Sequence, residues 1–467
     1  MSKQPLTKTF FARISFGKII ADDTTRNNPN STGSFSSRCP TCLAYLAASD
    51  FAPMKILLSA YACNPYLGSE NLVGWLAVRC LAQDHELHVI TGSRNHSDLA
   101  RAATEGLIPP HVHFHYVGQF KRWHSSRLRA RFQDWNEYVS FSKDILSAAR
   151  ELHRTKRFDL AHHVTVVTWR VASPLWQLDI PFIYGPIGGN EQFPARLLHI
   201  LSLSAVAFEL TRMASNLASR FSPDVRNCLR RAAHVFAANI ETEQLVKAVR
   251  GSDKCVSRLM ATFHAEEKVR AFSGHGLDKK LDGPLRLFAG GNMEGRKGVA
   301  LALAALARAR QNGVDFRYRL AAGGPEIPHL KKLAARLGLQ REVLFTEGLS
   351  GEDYRRELGM THIYLLPSLR DNAPITLTEA MLAGCVPVVA DCGGPAFIVS
   401  GESGYKIPTI NREQMVAQLA AAITELDRDR KMILTKGTAA RHRIAMDFSE
   451  EHYRKTVNAV YASVLKN

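Results

Sequence analysis

The sequence lacks any apolar run approaching the roughly 18 residues that span a bilayer as a helix, so no membrane-crossing segment is expected. It also lacks G-x-G-x-x-G directly after its first apolar strand, which counts against a nicotinamide or flavin enzyme. The eight cysteines are scattered, and Cys39-Pro-Thr-Cys42 has no second pair at zinc spacing, so no structural metal is expected. With reduced thiols and no convincing export signal, the cytoplasm is the expected compartment; Phe10-Phe-Ala-Arg-Ile-Ser-Phe is too short and polar for a signal core. Acidic residues are in deficit, 43 against 60 Lys and Arg, for a net charge of +17. No nucleic-acid motif accompanies that charge, and an anionic membrane surface or acceptor is the preferred partner.

What is present divides the chain. Its 467 residues exceed one core and fit two lobes plus an extension. Residues 1–53 do not alternate like a core element, and Asn27 to Ser37 is rich in Asn, Ser and Thr; the segment reads as disordered, or as preceding a true start at Met54. From Met54 to about residue 270, and again over about 284–440, short apolar strands alternate with helical runs, which predicts two parallel sheets wound on both faces.

The most informative stretch is Tyr364-Leu-Leu-Pro-Ser-Leu-Arg-Asp371-Asn-Ala-Pro374-Ile375-Thr376-Leu377-Thr-Glu379, an apolar strand, a polar loop and a helix start. Pro374 is preset for a first helical turn, leaving amides of roughly Ile375, Thr376 and Leu377 as an anion site at the strand's carboxyl end. Glu379, about one turn inside, has two oxygens that can accept both hydroxyls of a ribose. Upstream, Leu285 to Gly290 feeds the glycine-rich loop Gly291-Asn292-Met-Glu-Gly-Arg296-Lys297-Gly298. Glycines allow close backbone approach there, and two adjacent cations can neutralise phosphate. Together these features point to a sugar nucleotide.

The Asp371 to Glu379 segment resembles the nucleotide-recognition motif of glycosyltransferase family 4, whose members have the GT-B fold and usually carry two glutamates at this spacing. The resemblance implies that Glu379 holds the nucleotide ribose and that Asp371, shorter than the usual Glu, contacts the transferred sugar. The loop at Gly291 is similar to the family's Gly-Arg…Lys-Gly loop; Lys297 matches, Asn292 stands where many members have Arg, and Arg296 is the candidate second cation. Met54 to Trp75, with Ser59-Ala-Tyr-Ala-Cys63, Gly68-Ser-Glu70 and Gly74-Trp75, resembles the opening of one subgroup and places Gly68 on the donor side. Phe158 to Arg170 and Ile180 to Glu191 look like the same subgroup. The family has a His beside the transferred sugar here, and the adjacent His162 and His163 leave open which takes that place. Glu191 reads as a surface acid, and 448–467 resembles the family's last helix, which crosses back to the first lobe.

The expected activity is therefore retaining transfer of a hexose from a nucleotide-diphosphate sugar to a saccharide or lipid-linked hydroxyl, without a metal. Asp427-Arg-Asp429 matches a metal-holding pattern of other glycosyltransferases, but sits on a helix where i and i+2 face apart. Lys121-Arg-Trp-His-Ser-Ser-Arg-Leu-Arg-Ala-Arg131-Phe132 interleaves cations with apolar residues and could lie on an anionic membrane. The rival readings are another sugar-nucleotide enzyme, such as an epimerase, and a catalytically silent binding module.

Overall fold

The computed structural model describes residues 52–118, 127–273 and 279–466, with the backbone alone at 127–137, 139 and 273. The expectations for residues 1–51, including Cys39 and Cys42, and for the side chains of Lys121 to Phe132 lie outside the described residues.

Two all-parallel sheets form two Rossmann-like lobes. The first contains β1 (Lys55–Ala60), β2 (Glu86–Gly92), β3 (Val112–Val117), β4 (Leu160–Thr165), β5 (Phe182–Ile187), β6 (His234–Ala237) and β7 (Val256–Arg258), in the order β3-β2-β1-β4-β5-β6-β7. The second contains β8 (Leu285–Asn292), β9 (Phe316–Gly323), β10 (Val343–Thr346), β11 (Ile363–Leu365), β12 (Val386–Ala390) and β13 (Tyr405–Ile407), in the order β10-β9-β8-β11-β12-β13. Strands such as Leu160–Thr165 and Val386–Ala390 are buried along their whole length, as expected where helices cover both faces of a parallel sheet.

Strand order reverses between β1 and β4 in the first lobe and between β8 and β11 in the second. Such a reversal opens a crevice at the carboxyl ends of the flanking strands, because the connections there leave in opposite directions. The Cys63–Ser69 loop and the end of β4 meet at the first crevice. The glycine-rich loop and the Leu366–Pro374 loop meet at the second.

The final helix, Glu450–Lys466, packs on the first lobe. Tyr453, Val457, Val460 and Tyr461 enter the same apolar cluster as Ile56, Leu58 and Leu87. Polar contacts fix its register: Arg454 Nη1 reaches Asp84 Oδ1 at 2.7 Å, and Asn458 Oδ1 meets His85 Nε2 at 3.0 Å. The chain thus crosses between the lobes twice, between β7 and β8 and again before this last helix.

Candidate functional site

The second-lobe crevice is built by two loops pressed together. Gly298 has φ of +69°, and a Cβ there would lie 2.2 Å from the Pro367 carbonyl, so only glycine lets the cationic loop approach the end of β11 so closely. Leu369 N then donates to Arg296 O at 2.8 Å. That juxtaposition delivers Lys297 Nζ to Asp371 Oδ2 at 2.5 Å and Arg296 Nη1 to Asp371 Oδ1 at 3.6 Å. Burial pushes the Asp371 carboxyl up, but Lys297 and Arg296 outweigh it and hold its pKa below the ordinary value. Burial likewise opposes the charge on Arg296, while Asp371 and Glu294 more than restore it and leave its pKa raised.

Glu379 lies one turn into the helix Ile375–Leu382 and is nearly buried. Its Oε1 accepts from Lys268 Nζ at 2.5 Å and its Oε2 from the Tyr354 hydroxyl at 2.9 Å, so both oxygens are oriented. Burial raises the pKa of Tyr364, on β11, the hydrogen bond with Thr376 opposes that rise, and the nearby charges of Asp371 and Glu379 add to it. The Tyr364 hydroxyl meets Thr376 Oγ1 at 2.8 Å. At the helix start, Leu377 N donates to Pro374 O at 3.1 Å. Of the expected trio of anion-binding amides, Leu377 thus has a tight-turn contact to the residue three before it, while the first bond to the residue four before is from Thr378 N to Pro374 O at 3.4 Å.

Gly291 has φ of +119°, and Asn292 Nδ2 donates to Glu294 Oε1 at 3.1 Å. Asn292 therefore steadies the acid that in turn holds Arg296 Nε at 2.7 Å. Gly68, in the first-lobe crevice, is exposed, with open space where a Cβ would stand.

The two histidines separate cleanly because successive strand residues face opposite sides of a sheet. His162 has both ring nitrogens engaged, Nδ1 with the Tyr461 hydroxyl at 2.6 Å and Nε2 with Gly185 O at 2.7 Å. It anchors the last helix, and as a site candidate it is corrected to a core residue. His163 contacts Val166 O through Nε2 at 3.2 Å, while its buried Nδ1 has no partner. Burial lowers the pKa of His163 to about 4, so it is neutral near pH 7. Beside it Glu70, its pKa raised by burial, accepts from the Val167 amide across the β1/β4 reversal.

The lobes meet through a polar network that no motif announced. Asn372 sits over Gly188, where a Cβ would be 2.3 Å from its Nδ2, and it accepts from Asn239 Nδ2 at 2.8 Å. Gly393 and Gly394 receive the same loop from the other side; a Cβ on Gly394 would lie 1.8 Å from Asn372 O. Glu191, expected at the surface, is 5% exposed. It accepts from Arg212 Nη2 at 2.7 Å, Gly189 N at 2.9 Å and Asn239 Nδ2 at 3.1 Å. Arg370, next to Asp371, forms a fork with Glu209 at 2.7 to 3.1 Å, tying the second-lobe loop to helix Leu203–Phe221 of the first. Its position beside the motif acid was the one available sequence signal. Lys268, Tyr354 and Glu209 had none, because each reaches the site from a distant segment.

Residues 278–437 match the family described as Glycosyl transferases group 1. The putative colanic acid biosynthesis glycosyltransferase WcaL of Salmonella typhimurium is 27% identical over 192 residues, covering 39% of this chain and 45% of that protein. The match thus spans less than half of that relative's length. Sucrose-phosphate synthase from Thermosynechococcus elongatus has a similar fold, with a TM-score of 0.58, 18% identity, and 88% of this chain and 99% of that chain covered. Anabaena HepE in complex with UDP is similar at a TM-score of 0.56 and 14% identity, over 88% and 100%. The fold is that of the GT-B glycosyltransferases, and the match to Glycosyl transferases group 1 falls on the second lobe, over residues 278–437.

Proposed function

We propose that this protein transfers a hexose from a nucleotide-diphosphate sugar to a hydroxyl acceptor with retention of anomeric configuration, in assembly of a cell-surface polysaccharide or lipopolysaccharide. One observation carries the reading: Lys297 and Arg296 converge on Asp371 at the β8/β11 reversal, where a ligand of an open α/β sheet binds.

The chemistry follows from charge. When the bond from the anomeric carbon to the diphosphate oxygen breaks, the electron pair leaves with the phosphate and the sugar becomes cationic. Lys297, Arg296 and the first amides of helix Ile375–Leu382 are disposed to take up that negative charge, each such donor contributing about 3 to 4 kcal/mol. Asp371, held ionised by the same cations, faces the sugar and fixes its position. Glu379, with its oxygens set by Lys268 and Tyr354, accepts the ribose hydroxyls. Neutral His163 lies on the acceptor-side lobe, its buried Nδ1 without a partner. The acceptor oxygen bonds to the face the diphosphate leaves, and its proton passes to the departing phosphate. Phosphate charge is met by side chains and amides, so the reading requires no metal. The enzyme works from the cytoplasmic side, peripherally to a membrane carrying the acceptor.

Support comes from the group 1 domain match and from the polysaccharide assignment of WcaL. The test is nucleotide release from a panel of sugar nucleotides with and without a membrane extract as acceptor. Release that depends on acceptor is expected. Acceptor-independent release would point to an epimerase or hydrolase, and binding without release to a silent module.

A further inference from the structure

Helix Leu203–Phe221 is inside out. A surface helix ordinarily turns its apolar stripe to the core and its polar face to water. Here the inward side carries Glu209 and Asn216, at 4% and 6% exposure, together with Arg212. The outward side carries Leu203, Leu210, Met213, Leu217 and Phe221, at 89%, 51%, 38%, 59% and 65%. These positions recur at steps of seven, three, four and four residues, and so form one stripe. Val206 and Ala214 occupy the same face. Over 19 residues the stripe runs roughly 28 Å at about 1.5 Å per residue, far beyond a few scattered surface apolar residues.

We propose that this outward face docks the protein on an anionic lipid bilayer. Charge decides the occupant. Arg196 precedes the helix and Arg220 lies on the flank of its last turn, both exposed, while the stretch from Arg196 to Arg231 has a single exposed acid, Asp224. Arg230 and Arg231 of the following helix, Pro223–Arg231, add exposed charge but turn to Val249 O and the Trp176 ring. The whole chain carries +17. An apolar stripe bordered by cations matches the boundary between acyl chains and anionic headgroups. A second copy of the chain would bring the same cations into mutual repulsion.

Docking by this helix would bear on the site directly. Its inner face holds Arg370 through Glu209, and Arg370 adjoins Asp371. The cleft is thereby placed at headgroup level, where a lipid-linked acceptor presents its hydroxyl. That consequence rests on the sugar-transfer reading, while the docking itself does not.

Co-sedimentation of the full chain with phosphatidylglycerol or phosphatidylcholine vesicles, without nucleotide, tests the proposal. Partition onto phosphatidylglycerol that weakens as salt is raised is expected. The double variant Leu210→Ser/Leu217→Ser should lose about tenfold or more of that partition, since each exposed leucine loses its apolar transfer term. Its melting temperature should match the parent, and Leu344→Ser, at an exposed leucine of the second lobe, should partition normally. Absence of partition, or an unchanged double variant, overturns the proposal. So does a concentration-dependent dimer that the double variant disperses, because the face would then belong to a second copy. Failure of sugar transfer with partition intact would sink the transfer reading alone.

Discussion

The second lobe gathers its charged groups on the segments that directly follow two adjacent strands, whereas the first assembles its side of the cleft from neutral His163 and long-range arginine contacts. Lys297, Arg296, Asp371 and Glu379 lie on loops or helix starts that follow β8 and β11 directly. Glu191 and Asn239 lie on loops, Arg212 and Glu209 both on helix Leu203–Phe221, and their contacts form only in the folded chain. The contrast suggests a division of labour: a local, transferable anion cradle on one side, and on the other a network that sets how the lobes face each other.

The strongest way to break the contrast is to remove the cradle. Lys297→Ala and Glu379→Ala should each lower turnover by about a hundredfold or more, on the scale of losing one preorganised electrostatic contact, with an unchanged circular dichroism spectrum. Arg296 remains 3.6 Å from Asp371 in the lysine variant and limits the destabilisation.

On the other side, Glu209→Ala should strand Arg370, whose side chain is 11% exposed, and cost about 3 to 5 kcal/mol by denaturant titration, the range for a broken buried pair. Glu209→Gln, which keeps an acceptor, should recover part of that loss.

Acid should separate the lobes. Burial lowers the pKa of His162 to about 3, of His163 to about 4 and of His234 to about 3, against 6.5 unfolded. The unfolded chain therefore binds more protons between pH 6.5 and these values, so stability is full above pH 6.5 and falls with pH through the window. In the second lobe His362, just before β11, is such a group, at about 4. Asp371, with its depressed pKa, withdraws its contribution only at lower pH, below the ordinary carboxylate range. Hydrogen exchange during acidification should show β4, β5 and β6 losing protection before β8, β11 and β12.

The smallest effect sharpens the contact between lobes. Gly188→Ala would place a Cβ 2.3 Å from Asn372 Nδ2 and should cost about 1 to 3 kcal/mol, as overpacking does. Gly68→Ala meets open space and should change stability by less than about 0.5 kcal/mol.

This asymmetry also explains what was legible in the sequence. The alternating strands and the two motif segments, one with Lys297 and one with Asp371, could be read because within each of them strand, loop and helix start follow one another along the chain. The approach of Lys297 to Asp371, 74 residues apart, could not. Glu191 was misjudged because nothing near it in sequence shows that Arg212 and Asn239 surround it. Glu209 and Arg370 are 161 residues apart, beyond the reach of any local pattern. Strand alternation alone could have separated His162 from His163 onto opposite faces, but not which face meets Tyr461. The apolar stripe of Leu203–Phe221 was visible as a periodicity; its outward orientation was not, because the polar side finds its partners only across the cleft.

The central claim, that one activated sugar carrier is held between the glycine-rich loop and Glu379, is tested most directly by a crystal structure with a bound nucleotide sugar. The account predicts the diphosphate within hydrogen-bond distance of Lys297 and Arg296 and the ribose hydroxyls on Glu379. A carrier bound away from both loops would contradict it.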